Sequence, residues 1–298
     1  MDKKQNPTKK KQKKPFNIYK LFTLILLIIL LGVAGVLLRD WFVQNQAQKQ
    51  YEDLAAQVNR LQSSMNDNAI RLPSGTEESM QSAEPDNSTE QEEDSLLSQL
   101  GINVPEKILD WKALQTVNPD IYAWIYIPGT KIDYPILQNE KDDTYYLNYN
   151  MNGTRGYPGC IYTEKVNRKD FTDFDTIVYG HNMRNDSMFA TLHYFEDSAF
   201  FANCPYIYVY TEDKVLVYEI WAAYESDNLH ILYSNDFSTP SGRQIYLDQI
   251  YHKADSANVR QDVMASEQSH ILTLSTCIKG KSQNRFLVQA VLLNEDEL

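Results

Sequence analysis

Residues 21–38 read LFTLILLIILLGVAGVLL, eighteen consecutive positions without a charge. As a helix rising 1.5 Å per residue, this run extends roughly 27 Å, close to the ~30 Å hydrocarbon core of a bilayer. A cleaved signal peptide would share the basic flank, but the run is longer than a usual leader's and no A-x-A site follows it. No Cys stands directly after it either, which argues against a lipid-modified N-terminus. The expectation is an uncleaved anchor. Eight Lys (Lys3, Lys4, Lys9, Lys10, Lys11, Lys13, Lys14 and Lys20) and one Asp give the first twenty residues +7. By the positive-inside bias this tip stays in the cytoplasm and everything after Arg39 lies outside. The whole chain carries −12, so residues 21–298 carry −19. An acidic body of this kind argues against nucleic acid as the main partner.

Beyond the apolar run, Tyr51, Leu54, Val58, Leu61 and Met65 alternate three and four apart. That heptad spacing predicts a helical stalk and offers a short seam through which two chains could weakly pair. Residues 72–106 contain no Lys or Arg and are rich in Ser, Glu, Asn and Pro. Such a segment buries too little apolar surface to offset its ordering entropy, and it reads as a flexible acidic spacer. The organisation expected is a basic tip at 1–20, an anchor at 21–38, a stalk at 39–71, a spacer at 72–104 and one folded domain at 105–298.

Eighteen of the twenty Tyr follow residue 100, and short β-rich runs alternate there with turn signals. Strands are expected near 122–127, 160–163, 176–179, 207–210, 215–222, 271–276 and 286–293, with a hairpin turning at TEDK. Helices are expected at 109–114, 188–194 and, opening at Ser238–Thr239–Pro240, over 238–256, where Leu247, Ile250 and Tyr251 share a face. Many short strands with few βαβ alternations favour a barrel or sandwich, with the late helix as wall or lid of a groove.

The candidate chemistry sits at strand ends. Cys277 ends HILTLSTC, Arg285 opens RFLVQAVLL, and the polar IKGKSQN between them suits a loop. If the two strands pair antiparallel, both residues meet at one rim. A third run, DTIVYGHN, ends at His181. A thiolate attacks acyl carbons, an imidazolium protonates a departing amine, and a guanidinium stabilises an oxyanion. A lone Cys is more often a buried hydrophobe, and Cys160 and Cys204 are read that way. His193, His230, His252 and His270 each stand singly and are read as structural. Three Cys without CxxC spacing suggest neither a disulfide framework nor structural zinc.

At these residues the chain resembles the sortases, and among them class B. TLSTC (residues 273–277) followed by Arg285 is similar to the sortase cysteine strand and its arginine, and YGHNM (179–183) to the histidine motif. NPDIYAWIYIPGTKIDYPILQ (118–138), TYYLNYN (144–150) and SMF (187–189) also read like class B, so the resemblance covers roughly residues 105–293. It implies a closed eight-stranded β-barrel preceded by N-terminal helices, with a long helix before the cysteine strand. It implies a cysteine transpeptidase that cuts a sorting signal after Thr and passes the acyl chain to an amine of a cell-wall precursor, or to a pilin Lys in polymerising relatives. Carried over, Cys277 is the nucleophile, His181 the general acid/base and Arg285 the oxyanion or substrate-positioning cation. Ser275, two before the nucleophile on the same strand face, would line the substrate groove. Ile278 stands where some relatives carry an acidic residue. No cofactor or metal is expected, since side chains carry the chemistry and no calcium loop is recognisable. The competing readings are a cysteine protease or amidase releasing to water, and a non-catalytic tethered binding domain.

Overall fold

The computed structural model describes residues 18–70, 96–253 and 258–297. The expected cytoplasmic tip up to residue 17, most of the spacer and positions 254–256 of the late helix lie outside the described residues. The first helix, α1, spans Ile18–Ile70. The chain divides into two compact units, Met1–Phe42 and Val43–Leu298. In the first, the large apolar side chains from Leu21 to Phe42 are exposed, and the helix is long and apolar enough to cross a membrane.

In the second unit, α1 contributes Ala47, Tyr51, Leu54 and Val58 as buried residues. The last three belong to the same core as the strands that follow. The Tyr51 hydroxyl donates to the Gly159 carbonyl at 2.9 Å, and its ring meets Tyr134 edge-on at 5.6 Å. Three of the five seam positions are therefore spent on the chain's own domain; Leu61 and Met65 fall outside the described side chains. A three-four spacing marks an apolar helix face without saying which surface covers it.

Among the described residues nine strands follow: β1 (Ile121–Tyr126), β2 (Asp133–Leu137), β3 (Ile161–Thr163), β4 (Asp175–Tyr179), β5 (Tyr206–Tyr210), β6 (Val215–Asp227), β7 (Asn258–Val259), β8 (Ile271–Ile278) and β9 (Lys281–Leu292). Their order is β5-β1-β2-β3-β4-β8-β9-β6, and β5 pairs again with β6, which closes a ring of eight. β7 adds two residues to β6 at Ala222 and Ala223, outside the ring. The expected TEDK hairpin is present, with Tyr210 opposite Val215. β2 is not legible from the sequence: DYPIL is short and carries Pro135, which pairs with Trp124 on β1, while the parallel contact to β3 starts only at Ile136.

Leu272 and Leu274 of β8 pack into the barrel, while Ile271 packs into a second core outside it. That strand is buried on both faces, which accounts for its continuous apolar run. The late helix is Pro240–Tyr251, capped by the Thr239 side chain on the Gly242 N–H. Its Tyr246, Leu247 and Ile250 are buried in the outer core with Trp221, Leu287 and Val291. It is a brace on the barrel's outer wall rather than the wall or lid of the groove, because its apolar face is fully used there. Under it lies a buried polar network. Thr273 Oγ1 and Tyr246 Oη donate to Asp175 at 2.7 and 3.1 Å. Gln289 Nε2 donates to Thr273 and Tyr246 at 2.8 and 2.7 Å. Three strands that lead to the site, β4, β8 and β9, are thereby fixed to one another and to the helix.

Candidate active site

β4 and β8 pair in parallel, so their C-terminal ends share one rim. β9 runs antiparallel to β8, so its first residues return to that rim. His181 follows the end of β4, Cys277 lies at the end of β8, and Arg285 sits directly opposite Cys277. The antiparallel pairing expected from the sequence is present. The polar stretch 278–284 differs from the expected loop: it is a tight turn through Gly280, at φ +80°, followed by a slip in register between Cys277 and Ile278. The slip re-aims the arginine, as bulges beside sites commonly do. Arg285 Nη1 donates to the Ser282 and Asn284 carbonyls at 3.1 and 2.9 Å. A guanidinium has five donors, so this tether leaves others free for an incoming oxygen.

Cys277 is exposed, whereas Cys160 and Cys204 are buried, and all three thiols are free. Burial pushes the Cys160 thiol up to about 12 and raises that of Cys204, so neither supplies a thiolate near neutral pH. Ser275 is buried and faces Tyr179 across the parallel pair, and its backbone carbonyl accepts the Gly180 N–H at 3.1 Å. Thr276 Oγ1 donates to the Gly180 carbonyl at 2.8 Å, which ties the residue before His181 to the residue before Cys277.

His181 is half-buried and its Nε2 lies 2.8 Å from the Leu147 carbonyl. A carbonyl only accepts, so Nε2 carries the hydrogen and Nδ1 of the neutral ring is the proton acceptor. Desolvation pulls the imidazole below its ordinary value, partly opposed by the Leu147 bond. Two tightly packed glycines stand beside this residue. A Cβ on Gly180 would lie 2.6 Å from Phe189 and Ile161, and one on Gly159, at φ +67°, would lie 2.7 Å from the Tyr146 carbonyl. Tyr157 closes one side of the ring, edge-on at 5.0 Å.

His181, Ser275, Cys277 and Arg285 all line one groove of about 230 Å³. Glu164 and the segment from Asp227 to Ile231 form a further part of its wall. That wall carried no signal in the sequence. His230, read there as structural, stands in it with Nε2 2.6 Å from Glu164 Oε2. His193, also read there as structural, and Asn182 of the YGHNM motif both approach the Cys277 carbonyl.

A rim of this construction, on a closed eight-stranded barrel, has counterparts among known proteins. The Sortase domain family model matches residues 125–293. The chain belongs to the sortase family. Sortase B of Listeria monocytogenes is 33% identical over 184 residues, covering 61% of this chain and 73% of its own length. Sortase B from B. anthracis, solved in complex with AAEK1, superposes with a TM-score of 0.56 at 31% identity, covering 62% of this chain and 84% of that one. A Streptococcus pyogenes class B sortase involved in pilus biogenesis gives a TM-score of 0.55 at 26% identity, covering 62% and 98%. This sortase is a class B cysteine transpeptidase, and its barrel is the one the resemblance implies.

Proposed function

We propose that this sortase cleaves a C-terminal sorting signal after its Thr and transfers the acyl chain to an amine of a cell-wall precursor. The observation that carries the assignment of roles is that Cys277, His181, Arg285 and Ser275 line one groove although 104 positions separate the outermost two. Cys277 Sγ, as thiolate, attacks the Thr carbonyl carbon, and Arg285 stabilises the tetrahedral oxyanion. The C–N bond breaks, the leaving amine takes a proton from His181, and a thioester remains on Cys277. The acceptor amine then attacks the thioester, gives its proton to His181, and the C–S bond breaks to restore the thiolate. Ser275 shapes the groove wall beside the thioester.

The membrane assignment rests on the exposed apolar side chains of α1 and the Lys-rich tip before it. In this reading the tip 1–20 is cytoplasmic, 21–38 spans the bilayer, 39–71 and the acidic 72–104 follow it outside, and the catalytic domain 105–298 meets secreted substrates there. A pilin Lys amine is the second acceptor reading, favoured by the likeness to the pilus-biogenesis enzyme. The test is to incubate the enzyme with sorting-signal peptides, with and without glycine-peptide or lysine-peptide amines, and to identify the products. Amine adducts are expected, and the preferred amine separates the two acceptors. Free acid as the sole product, whatever amine is present, would overturn the transfer reading in favour of a protease or amidase.

A further inference from the structure

The carbonyl of Cys277 has partners that ordinary strand pairing does not supply. On one side β8 is paired with β9 through Arg285. On the other, the parallel strand β4 ends at Tyr179, opposite Ser275, two residues short of Cys277. The register slips immediately after Cys277. The peptide that follows the thiol residue thus lacks a ladder neighbour on the β4 side, where nothing in the sheet fixes its plane.

One side chain, held by a second, does so instead. Asn182 Nδ2 donates to the Cys277 carbonyl at 2.9 Å. His193 Nε2 lies 3.1 Å from that oxygen and 2.9 Å from Asn182 Nδ2. His193 Nδ1 lies 2.6 Å from Glu196 Oε1, and its ring stacks on Phe286 at 5.0 Å. Hydrogen placement makes Asn182 the donor to both the carbonyl and His193 Nε2. A carboxylate only accepts, so Nδ1 carries the ring hydrogen and Nε2 of the neutral ring is an acceptor. One Asn182 hydrogen goes to Nε2 and the other to the Cys277 carbonyl. Asn182 is itself held by a backbone bridge to Met188. Neither Asn182 nor His193 belongs to the groove lining.

We propose that Asn182, held by His193 whose tautomer Glu196 fixes, clamps the Cys277–Ile278 peptide and so aims the thiol. They are positioning residues. Fixing the carbonyl fixes the backbone at Cys277, and with it the Cα–Cβ direction along which Sγ projects. Displacements of about 1 Å at a reacting atom cost about a hundredfold in rate, so a loosened peptide lowers the rate of attack. Because the clamp lies behind the groove, substrate binding is spared. The inference rests on Cys277 being the nucleophile, as proposed above.

The test compares His193→Phe, His193→Gln, Asn182→Ala and Cys277→Ala in the full chain, with steady-state cleavage of a sorting-signal peptide and mapped iodoacetamide labelling of Cys277. His193→Phe keeps a ring to stack on Phe286 but no polar atom, and His193→Gln keeps an amide oxygen that can accept from Asn182. We expect His193→Phe and Asn182→Ala to lower kcat about tenfold or more, with KM within twofold and slower labelling. His193→Gln should recover most of that loss. A His193→Phe enzyme as active as wild type, a Gln variant no better than Phe, or a rise in KM alone would overturn the clamp. If His193→Phe does not fold, the Asn182→Ala result decides by the same criteria. An active Cys277→Ala enzyme would instead overturn the nucleophile assignment, whereas an inactive one beside an unimpaired His193→Phe would overturn the clamp alone.

Discussion

Tyr51 offers a measure of whether the second half of α1 is part of the cooperative catalytic unit. Its side chain is 3% exposed, and its hydroxyl donates to the buried Gly159 carbonyl at 2.9 Å. Burial raises the phenol well above its ordinary value, so the hydroxyl is a donor at every pH of interest. Tyr51→Phe keeps the ring against Tyr134 and removes only the hydroxyl. A neutral bond is worth about 1 kcal/mol, and leaving the partner carbonyl buried and unpaired brings the cost to about 1–3 kcal/mol. For a folded unit of this size each kcal/mol lowers Tm by roughly 2–4 °C. Tyr51→Ala removes the ring as well, and a buried aromatic truncated to Ala costs about 3–5 kcal/mol. Gly159 also abuts His181, since a Cβ there would lie 3.3 Å from His181 Cδ2. Turnover should therefore fall in both variants, more in Ala than in Phe. The assay is thermal unfolding of the full chain in detergent, followed by circular dichroism, beside peptide cleavage at a temperature where both variants are folded. Unchanged Tm in both variants would mean that the helix unfolds independently of the barrel, as a detached stalk would.

Three further outcomes follow from the same geometry. Gly180→Ala should destabilise the domain by about 1–3 kcal/mol and depress turnover, because its Cβ meets the Phe189 ring and Ile161 at 2.6 Å; unchanged denaturant unfolding would contradict this. The pH profile of kcat/KM should be bell-shaped, with its acid limb below about 6.5, because desolvation lowers the His181 imidazole. Tyr157→Ala should move that limb upward by admitting water to the ring, and a flat profile would remove His181 from the proton transfers. Burial raises the Asp175 carboxyl to about 7, so between its unfolded value near 4 and pH 7 the folded state holds a proton that the unfolded chain has lost. The stability of wild type relative to Asp175→Asn should thus fall as pH rises through that window, by at most about 1.4 kcal/mol per unit. Parallel pH curves for the two proteins would refute that.

The legible parts of this structure are those in which local pattern and tertiary contact agree. ILTLSTC reads as a strand because it is buried inside and outside the barrel. The meeting of Cys277 with Arg285 follows from a single antiparallel turn. The 278–284 stretch passes for a loop because rim residues are solvated even when they are paired. The late helix was recognisable from its cap and apolar face, but not its place outside the barrel, since periodicity reports burial without naming the surface that covers it. The α1 seam illustrates the same limit. Asn182 and His193 were invisible as partners of Cys277, which lies 95 and 84 positions away from them; only the closed barrel brings them together.

The most direct test is to trap the acyl-enzyme. Enzyme mixed with sorting-signal peptide in the absence of amine, quenched in acid and analysed by peptide-mapping mass spectrometry, should carry the N-terminal peptide fragment as a thioester on Cys277. Added amine should discharge it to the transpeptidation product. Product formed without any such adduct, or an adduct on Cys160 or Cys204, would contradict the assignment of Cys277 as the nucleophile.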